Sequence, residues 1–402
     1  MKIMNWEQVK KIAPSGHYNI LIFIFLFLQF INAYWEKGGY RINNGYIFSQ
    51  HLLSYKLGFI PKAFFGSTVG CLTKYLSFDK YCFLIMLSVM FFYICIFIFF
   101  IKIRKLSKNN SLVDVLIFFT LALPTSWLYV KDLGRFDIYL LEIFLLCAIT
   151  CWYRHPLRWL TPILLIIGTL LHEEFLFMYI TPILAIQFFK KRDKNNGDLS
   201  LLLLSLSAIA IALGLYVYGR LELPSAEKIN QYCLMRTSYK LEDNFISMSG
   251  YVEAIREGYI SFTIKYFTFH LFFQILYSIP FAILGLIVLC LFWKPAYAGI
   301  IKGNNTLQRK ILFLSPLTNI FLFIGNDYNR WIASFFSVNI VLLFLILSNR
   351  ENTTSLPFTQ KQINFIYIVC AIFFLIAPGN ANGFSEFGEK MTSFSCKLIQ
   401  RL

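Results

Sequence analysis

The feature that most constrains this chain is residues 159–189, a long apolar run that three ionisable residues, His172, Glu173 and Glu174, interrupt near its midpoint. A helix that crosses ~30 Å of hydrocarbon needs about 20 apolar residues, so the run is too long for one comfortable span. Arg and Lys residues flank the run closely on both sides. Because basic short loops stay on the cytoplasmic side of a membrane, the run predicts a helical hairpin whose polar tip points outward.

The predicted tip lies within the membrane and not above it. Each limb of about 15 residues reaches only ~22 Å at 1.5 Å per residue, so we expect the tip slightly below the outer surface. Ionisable residues at that depth are costly and mark functional sites. A tip that only needed to turn would use Asn, Gly or Pro. His172, Glu173 and Glu174 are therefore candidate catalytic residues.

The composition indicates a membrane protein over the whole chain. Of 402 residues, 57% are hydrophobic and 14% are charged, and the mean hydropathy is +0.61. These values are typical of a polytopic membrane protein and exclude an ordinary soluble domain. The net charge of +16 does not indicate nucleic acid, because the basic residues are dispersed through inter-helix loops, where they set topology. The nine cysteines lack metal-binding spacing and are expected to be packing residues.

Apolar segments and basic loops predict an all-α polytopic membrane protein with one domain over residues 1–402, about eleven transmembrane helices and short cytoplasmic loops. The predicted spans are 18–34, 81–101, 112–130, 138–153, the two hairpin limbs, 199–218, 267–293, 311–324, 332–347 and 363–376. The expected location is the bacterial inner membrane, with a cytoplasmic N-terminus. The first external loop, 35–80, carries an amphipathic portion expected to form an interfacial or re-entrant helix at the outer face. The larger external loop, 219–266, is expected to form short helices.

Four polar motifs emerge on one side of the membrane under this topology. They are Trp35-Glu36-Lys37, Gly134-Arg135-Phe136-Asp137, His172-Glu173-Glu174 and Asp327-Tyr328-Asn329-Arg330-Trp331. None of them was used to set the topology, so their convergence predicts one external site. Simpler explanations stay open: Arg135 with Asp137, and Asp327 with Arg330, are spaced to form ion pairs at helix ends. Glu36 is equally well explained as a solvated residue at the end of a span.

Carboxylates, a histidine and guanidinium groups at the outer face fit the transfer of a sugar from a polyprenyl phosphate carrier. That reaction needs a base for the acceptor hydroxyl and cations for the departing phosphate, which the planar donors of Arg bind well. The predicted substrate and phosphate contacts are Arg135, Asp137, Asp327, Tyr328, Arg330, Trp331 and Lys62. A divalent cation on the His/Glu cluster is the alternative means of neutralising the leaving group, and these donors leave the metal unidentified.

The segments GFIPKAFFG (58–66), GRFD (134–137), LLHEEF (170–175) and GNDYNRW (325–331) together resemble bacterial membrane proteins of surface-polysaccharide clusters. That group includes O-antigen polymerases and serotype-modifying glucosyltransferases. The overall pattern also looks like the multi-spanning glycosyltransferases of the C-type fold, which use lipid-phosphate sugars. The resemblance implies that Glu36 takes the place of the first-loop carboxylate that acts as base. A double acid is common there, whereas Lys37 follows Glu36 here, so His172, Glu173 or Glu174 is the alternative base.

Three functional interpretations follow. The preferred one is a glycosyltransferase or polymerase of cell-surface polysaccharide, whose partners are an undecaprenyl-linked sugar or oligosaccharide, the bilayer and polysaccharide-assembly proteins, with no nucleic acid. The second is a transporter or flippase of the same lipid-linked sugars that uses buried carboxylates for ion coupling. Transporters tend to carry inverted repeats, and the sequence shows none. The third is an assembly partner whose ionic motifs clamp helix ends.

Overall fold

A computed structural model describes residues 15–35, 41–42, 45–60, 62–108, 110–123, 133–190, 196–221, 223–239, 246, 248–257, 261, 269–300, 306–324, 328–348 and 358–376. Within these residues every regular element is a helix and no β-strand occurs. The predicted all-α class is therefore confirmed.

The helices follow the apolar segments of the sequence. They are α1 (Ser15–Trp35), α2 (Gly45–Leu52), α3 (Ala63–Ser67), α4 (Phe78–Leu106), α5 (Ser111–Ala122), α6 (Asp137–Trp152), α7 (Thr161–Leu171), α8 (Thr181–Lys190), α9 (Asn196–Leu221), α10 (Ala226–Arg236), α11 (Ser249–Glu257), α12 (Phe269–Ile300), α13 (Thr306–Leu314), α14 (Tyr328–Ser348) and α15 (Gln360–Ile376). Short 3₁₀ helices cover Tyr55–Leu57, Val69–Lys74, Pro156–Leu160 and Ser315–Ile324, and a π-helical turn covers Leu176–Ile180.

Three helical segments among the described residues are long and apolar enough to cross a membrane: Phe78–Leu106, Gly197–Gly219 and Ile279–Ala298. Six further apolar helical segments are shorter: Tyr18–Leu28, Ser111–Ala122, Pro156–Leu171, Leu176–Lys190, Ile332–Ser348 and Gln360–Leu375. These helices support a membrane protein with transmembrane helices. The total of eleven spans stays a prediction.

Polar capping residues determine where several helices begin. The hydroxyl of Ser77 accepts a hydrogen bond from the N–H of Lys80 at the start of α4, and the side chain of Asn110 accepts one from the N–H of Leu112 at the start of α5. Each cap satisfies a backbone donor that has no partner inside the helix. Only residues 107–110 separate α4 from α5, so these helices run side by side in opposite directions.

Ion pairs join the helices at one end of the bundle, which we call the basic end. The guanidinium of Arg104 lies 2.7 Å from Asp114, and both side chains are buried. The hydroxyl of Tyr18 donates to the carbonyl of Asp114. Arg154 lies 2.9 Å from Asp198. The basic end therefore joins the start of α1, the end of α4 and the starts of α5 and α9.

The opposite end, which we call the motif end, joins the two segments predicted to be external loops. The guanidinium of Arg236, in α10, donates to the carbonyls of Leu52 and Leu53 at the end of α2. The hydroxyls of Ser54 and Tyr232 are 2.7 Å apart. The described parts of these two loops, both predicted to be external, thus contact each other at one end of the bundle.

The described part of loop 35–80, which is predicted to be external, packs into the bundle. Residues Ile47 to Leu52 of α2 are all buried, and α3 packs against α7. A Cβ at Gly66 would lie 1.8 Å from the carbonyl oxygen of Leu53, and one at Gly70 would lie 1.9 Å from that of His51. These contacts bring backbone against backbone, so only glycine fits. Of the two predicted forms, the burial favours a re-entrant segment over an interfacial helix.

Candidate functional site

The interrupted apolar run forms a helical hairpin, with His172, Glu173 and Glu174 between α7 and the π-helical turn. The chain leaves α7 at His172, whose backbone is extended (φ −159°, ψ 129°). The ring of Phe175 lies against Gly168, where an added Cβ would be 2.6 Å from a ring carbon. The small glycine therefore lets the turn close tightly over the end of α7. π-helical turns are frequent at functional sites.

The three ionisable side chains of the tip are drawn together. His172 and Glu173 are 3% and 6% exposed. The Nδ1 atom of His172 lies 3.6 Å from a carboxylate oxygen of Glu173 and 3.8 Å from one of Glu174. The N–H of Glu174 donates to the same Nδ1 atom at 3.3 Å, so Nδ1 holds a lone pair and the neutral ring carries its proton on Nε2.

The two carboxylates of the tip differ in access. The side chain of Glu174 is 21% exposed, compared with 7% for Glu173. A group that exchanges a proton with a substrate must be reachable by that substrate. Glu174 is therefore the carboxylate better placed to meet a ligand, while Glu173 is better placed to influence the charge around His172.

The depth of the tip follows from the helix that packs along α7. Arg158, just before α7, lies 3.1 Å from Asp198 near the start of α9, and the two helices pack side by side. The 14 residues from Arg158 to His172 rise ~21 Å, whereas the 21 residues from Asp198 to Gly219 rise ~31 Å. Gly219 meets the backbone of Phe59 at the motif end. The tip therefore lies ~10 Å below that level.

The GRFD segment lies at a similar depth. The rings of Phe144 in α6 and Tyr179 in the π-helical turn stack with their centroids 5.1 Å apart. Asp137, at the start of α6, lies seven residues before Phe144, or ~10 Å along the axis. Glu174 lies five residues before Tyr179, or ~7 Å. The structure therefore brings GRFD and the hairpin tip within about one helical turn of the same depth.

A buried histidine that the sequence analysis does not single out holds the GRFD turn. The Nε2–H of His51 donates to the carbonyl of Gly134 at 2.6 Å, and its Nδ1 accepts from the hydroxyl of Tyr81 at 2.8 Å. The imidazole stacks on Phe136 and meets the edge of Phe65. Complete burial lowers the pKa of His51 to about 4, because the surroundings do not solvate an imidazolium. His51 is thus a neutral link between α2 and GRFD.

The other predicted contacts of the GRFD and GFIPKAFFG segments are also at the motif end. Arg135 is half-buried and Asp137 is 2% exposed at the start of α6. Lys62 is buried, with a positive φ of 65°, and its ammonium lies 5.9 Å from the ring centroid of Tyr46. Gly134 has a φ of +94°, and this positive φ lets the chain turn at the first residue of GRFD.

The remaining candidates fall wholly or partly outside the described residues. Glu36 and Asp327 lie outside them. The backbone of α14 includes Tyr328, Arg330 and Trp331, but the description does not extend to their side chains. Their predicted roles stay predictions.

The start of α14 is nevertheless tied to the hairpin through the side chain of Asn319. Asn319 donates to the carbonyl of Met178 in the π-helical turn, and the hydroxyl of Ser334 donates to Asn319 at 2.6 Å. Ser334 lies four residues after Arg330, which is ~6 Å along the helix. The helix that carries Arg330 therefore begins close to the hairpin.

Among the described residues, no group of three or more His, Cys, Asp and Glu side chains is arranged to hold a metal ion. The divalent cation stays a prediction of the donor types alone. The described arrangement places an imidazole lone pair beside two carboxylates. Such a cluster is suited to accepting and holding a proton.

No protein-family model matches the chain, and neither a curated protein nor a solved structure matches it. The resemblance carried by the four short segments therefore stays a prediction, and the function has to be argued from the site itself.

Proposed function

We propose that the protein is a membrane glycosyltransferase or polymerase of cell-surface polysaccharide, of the O-antigen or capsule type. It works at the outer face of the bacterial inner membrane with a polyprenyl-linked sugar or oligosaccharide as donor. The observation that carries the proposal is the hairpin tip, where the Nδ1 atom of His172 lies 3.6 and 3.8 Å from two carboxylates. This cluster shares its end of the bundle with GRFD and with the start of α14.

The proposed reaction assigns each group a task. The acceptor hydroxyl attacks the anomeric carbon of the donor sugar, a new glycosidic bond forms, and the bond from that carbon to the phosphate oxygen breaks. The lipid phosphate leaves with the bonding electrons, and the hydroxyl proton passes to Glu174, the more exposed carboxylate of the tip. The guanidinium groups of Arg135 and Arg330 bind the departing phosphate and stabilise its negative charge. Glu36 is the alternative base that the resemblance implies.

The test is turnover by purified protein in lipid vesicles, with a polyprenyl-phosphate sugar as donor and a crude acceptor. We expect Glu174→Gln to lower product formation by at least about a hundredfold, since general-base catalysis contributes 10²–10⁴-fold. The matched control is Glu227→Gln, which neutralises an exposed carboxylate on α10 and should keep at least half of the activity. Equal turnover by both variants, at equal amounts of folded protein, would contradict the proposal.

A second candidate is a transporter or flippase of the same lipid-linked sugars. Two observations favour it. The first is that α7 and the π-helical turn meet ~10 Å below the level of Gly219, which resembles the helices of transporters that are broken within the membrane. In addition, the Oε1 atom of Glu142, within α6, is buried without a hydrogen-bond partner among the described residues. The same vesicles separate the candidates, because a transporter moves the lipid without changing it. Only for a transporter should Glu142→Gln abolish ion-dependent movement.

A further inference from the structure

A second feature is a groove whose lining includes none of the hairpin residues. It has a volume of about 680 Å³ and lies between α12, the 3₁₀ helix Ser315–Ile324 and its preceding helix α13, and α14. Most of its wall is apolar, and Leu286, Leu289, Leu314 and Leu317 are part of it. This volume is in the range of small-molecule binding sites. The groove is therefore large enough for part of a lipid molecule.

Two lysines lie at one end of the groove. Lys294 is on α12, eight residues and thus ~12 Å beyond Leu286, and Lys310 is in the first turns of α13. Gln308, two residues before Lys310, donates to the carbonyl of Phe188 near the basic end. Lys310 therefore lies toward the basic end, and Lys294 lies at the part of α12 that is remote from Leu286.

Aromatic residues lie beside the two lysines in the wall of the groove. The ring of Phe313 is in edge contact with Trp293 and Tyr297, at centroid distances of 5.2 and 5.8 Å. The indole N–H of Trp293 donates to Asn339 at 2.9 Å, which fixes the ring in the wall. Trp and Tyr are enriched where a membrane changes from hydrocarbon to polar head groups. The groove thus changes from apolar to basic as one leaflet of a bilayer does.

We propose that this groove binds an anionic glycerophospholipid, with Lys294 and Lys310 on its phosphate head group and an acyl chain along the leucines. None of the described residues that line the groove is acidic, so the charge of the site favours a net negative head group over a zwitterionic one. Basic sites between transmembrane helices bind such head groups. This inference is independent of the proposed function, because the groove contains none of the hairpin or GRFD residues.

The test compares two double variants by native mass spectrometry of protein equilibrated with equal amounts of phosphatidylglycerol and phosphatidylcholine. Lys294→Gln with Lys310→Gln removes the groove charges. Lys102→Gln with Lys105→Gln removes two exposed charges from α4, outside the groove. We expect the first pair to weaken phosphatidylglycerol binding by about 30-fold, since each of the two basic residues near a head group contributes ~1 kcal/mol. The control pair should change it by less than about twofold.

A third variant tests the apolar part of the groove. Leu317→Trp keeps both lysines but places a large ring in the groove, and it should also lower retention of the diacyl lipid. Equal loss of phosphatidylglycerol in both lysine double variants would overturn the proposal. So would unchanged binding in all three variants, or equal retention of phosphatidylcholine and phosphatidylglycerol by the unmodified protein. A loss confined to the groove variants supports it, whatever the sugar-transfer assay shows.

Discussion

The two ends of the bundle bury ionisable residues in different ways. At the basic end, Arg104 and Asp114 form a pair 2.7 Å apart, with side chains only 6% and 5% exposed. At the motif end, two carboxylates, those of Glu173 and Glu174, lie near a single imidazole, whose Nδ1 atom accepts a backbone hydrogen bond. In the described ion pairs of the basic end a carboxylate thus meets a permanent cation, whereas the hairpin tip gathers two carboxylates around a group that is neutral unless protonated.

The two arrangements are typical of different roles: the matched pairs of the basic end are typical of a structural role, and the hairpin tip is typical of a chemical one. A matched pair neutralises its own charge and holds two helices in register, although replacing both partners together is often harmless. Acids gathered around a histidine repel one another, and such clusters occur at catalytic and transport sites. We therefore expect substitutions at the basic end to reduce stability and substitutions at the motif end to reduce function.

The largest stability effect is expected at the basic end. Asp114→Asn leaves the buried guanidinium of Arg104 without its carboxylate and should destabilise the protein by about 3–5 kcal/mol, measured by denaturant unfolding in detergent. The control is Asp79→Asn, whose ion pair with Arg41 is exposed, at 57% and 51%, and should cost less than about 1 kcal/mol. Equal costs would remove the distinction between a buried clamp and a surface pair.

A smaller effect is expected at His51, which connects α2 to GRFD. His51→Gln breaks the hydrogen bond to Gly134 or the one to Tyr81 and should cost about 1–3 kcal/mol. Because burial lowers the pKa of His51 to about 4 in the folded protein, against ~6.5 unfolded, the unfolded state binds more protons between these values. Stability should therefore be complete above pH 6.5 and fall as the pH drops toward 4.

Thermal unfolding across that pH range tests the assignment. The variant should lose less stability than the unmodified protein between pH 6.5 and pH 4. Parallel curves for the two proteins would show that His51 is not the group that titrates.

The smallest effect concerns the turn that His51 holds. Gly134→Ala places a Cβ in a backbone of φ +94° and 3.0 Å from the Nε2 atom of His51, so it should cost about 1–2 kcal/mol. Gly214→Ala is the matched control, because Gly214 is helical and nothing lies within 4 Å of the added Cβ. That variant should be neutral or stabilised by up to ~1 kcal/mol. If both variants unfold at the same denaturant concentration, an added Cβ at position 134 causes no strain in the turn.

The sequence predicts the elements that depend on local pattern. The hairpin at His172 follows from the length of its apolar run and from the basic residues on both sides, and the structure contains it. The contacts that assemble the motif end are not local. His51 reaches Gly134 across 83 positions, and Arg236 reaches Leu52 across 184, so no periodicity or spacing indicates either one.

The depth of the tip and the fold of the first loop also depend on distant partners. α9 extends ~10 Å beyond the hairpin. The length of a hairpin limb does not reveal this difference, because it says nothing about how far the neighbouring helix extends. The first loop packs inward because Gly66 and Gly70 meet backbone carbonyls, whereas an amphipathic pattern equally fits a surface helix. The roles of Glu36, Asp327 and Arg330 still rest on the sequence.

We propose that the acid-bearing tip and GRFD share one site on the outer face of the membrane. The most direct measurement labels single cysteines at positions 174, 135 and 105 in intact cells with a membrane-impermeant thiol reagent, after the nine native cysteines are replaced. We expect Glu174→Cys and Arg135→Cys to be labelled from outside, and Lys105→Cys to be labelled only after the cells are opened. Labelling of position 105 from outside, with positions 174 and 135 protected until the cells are opened, would contradict it.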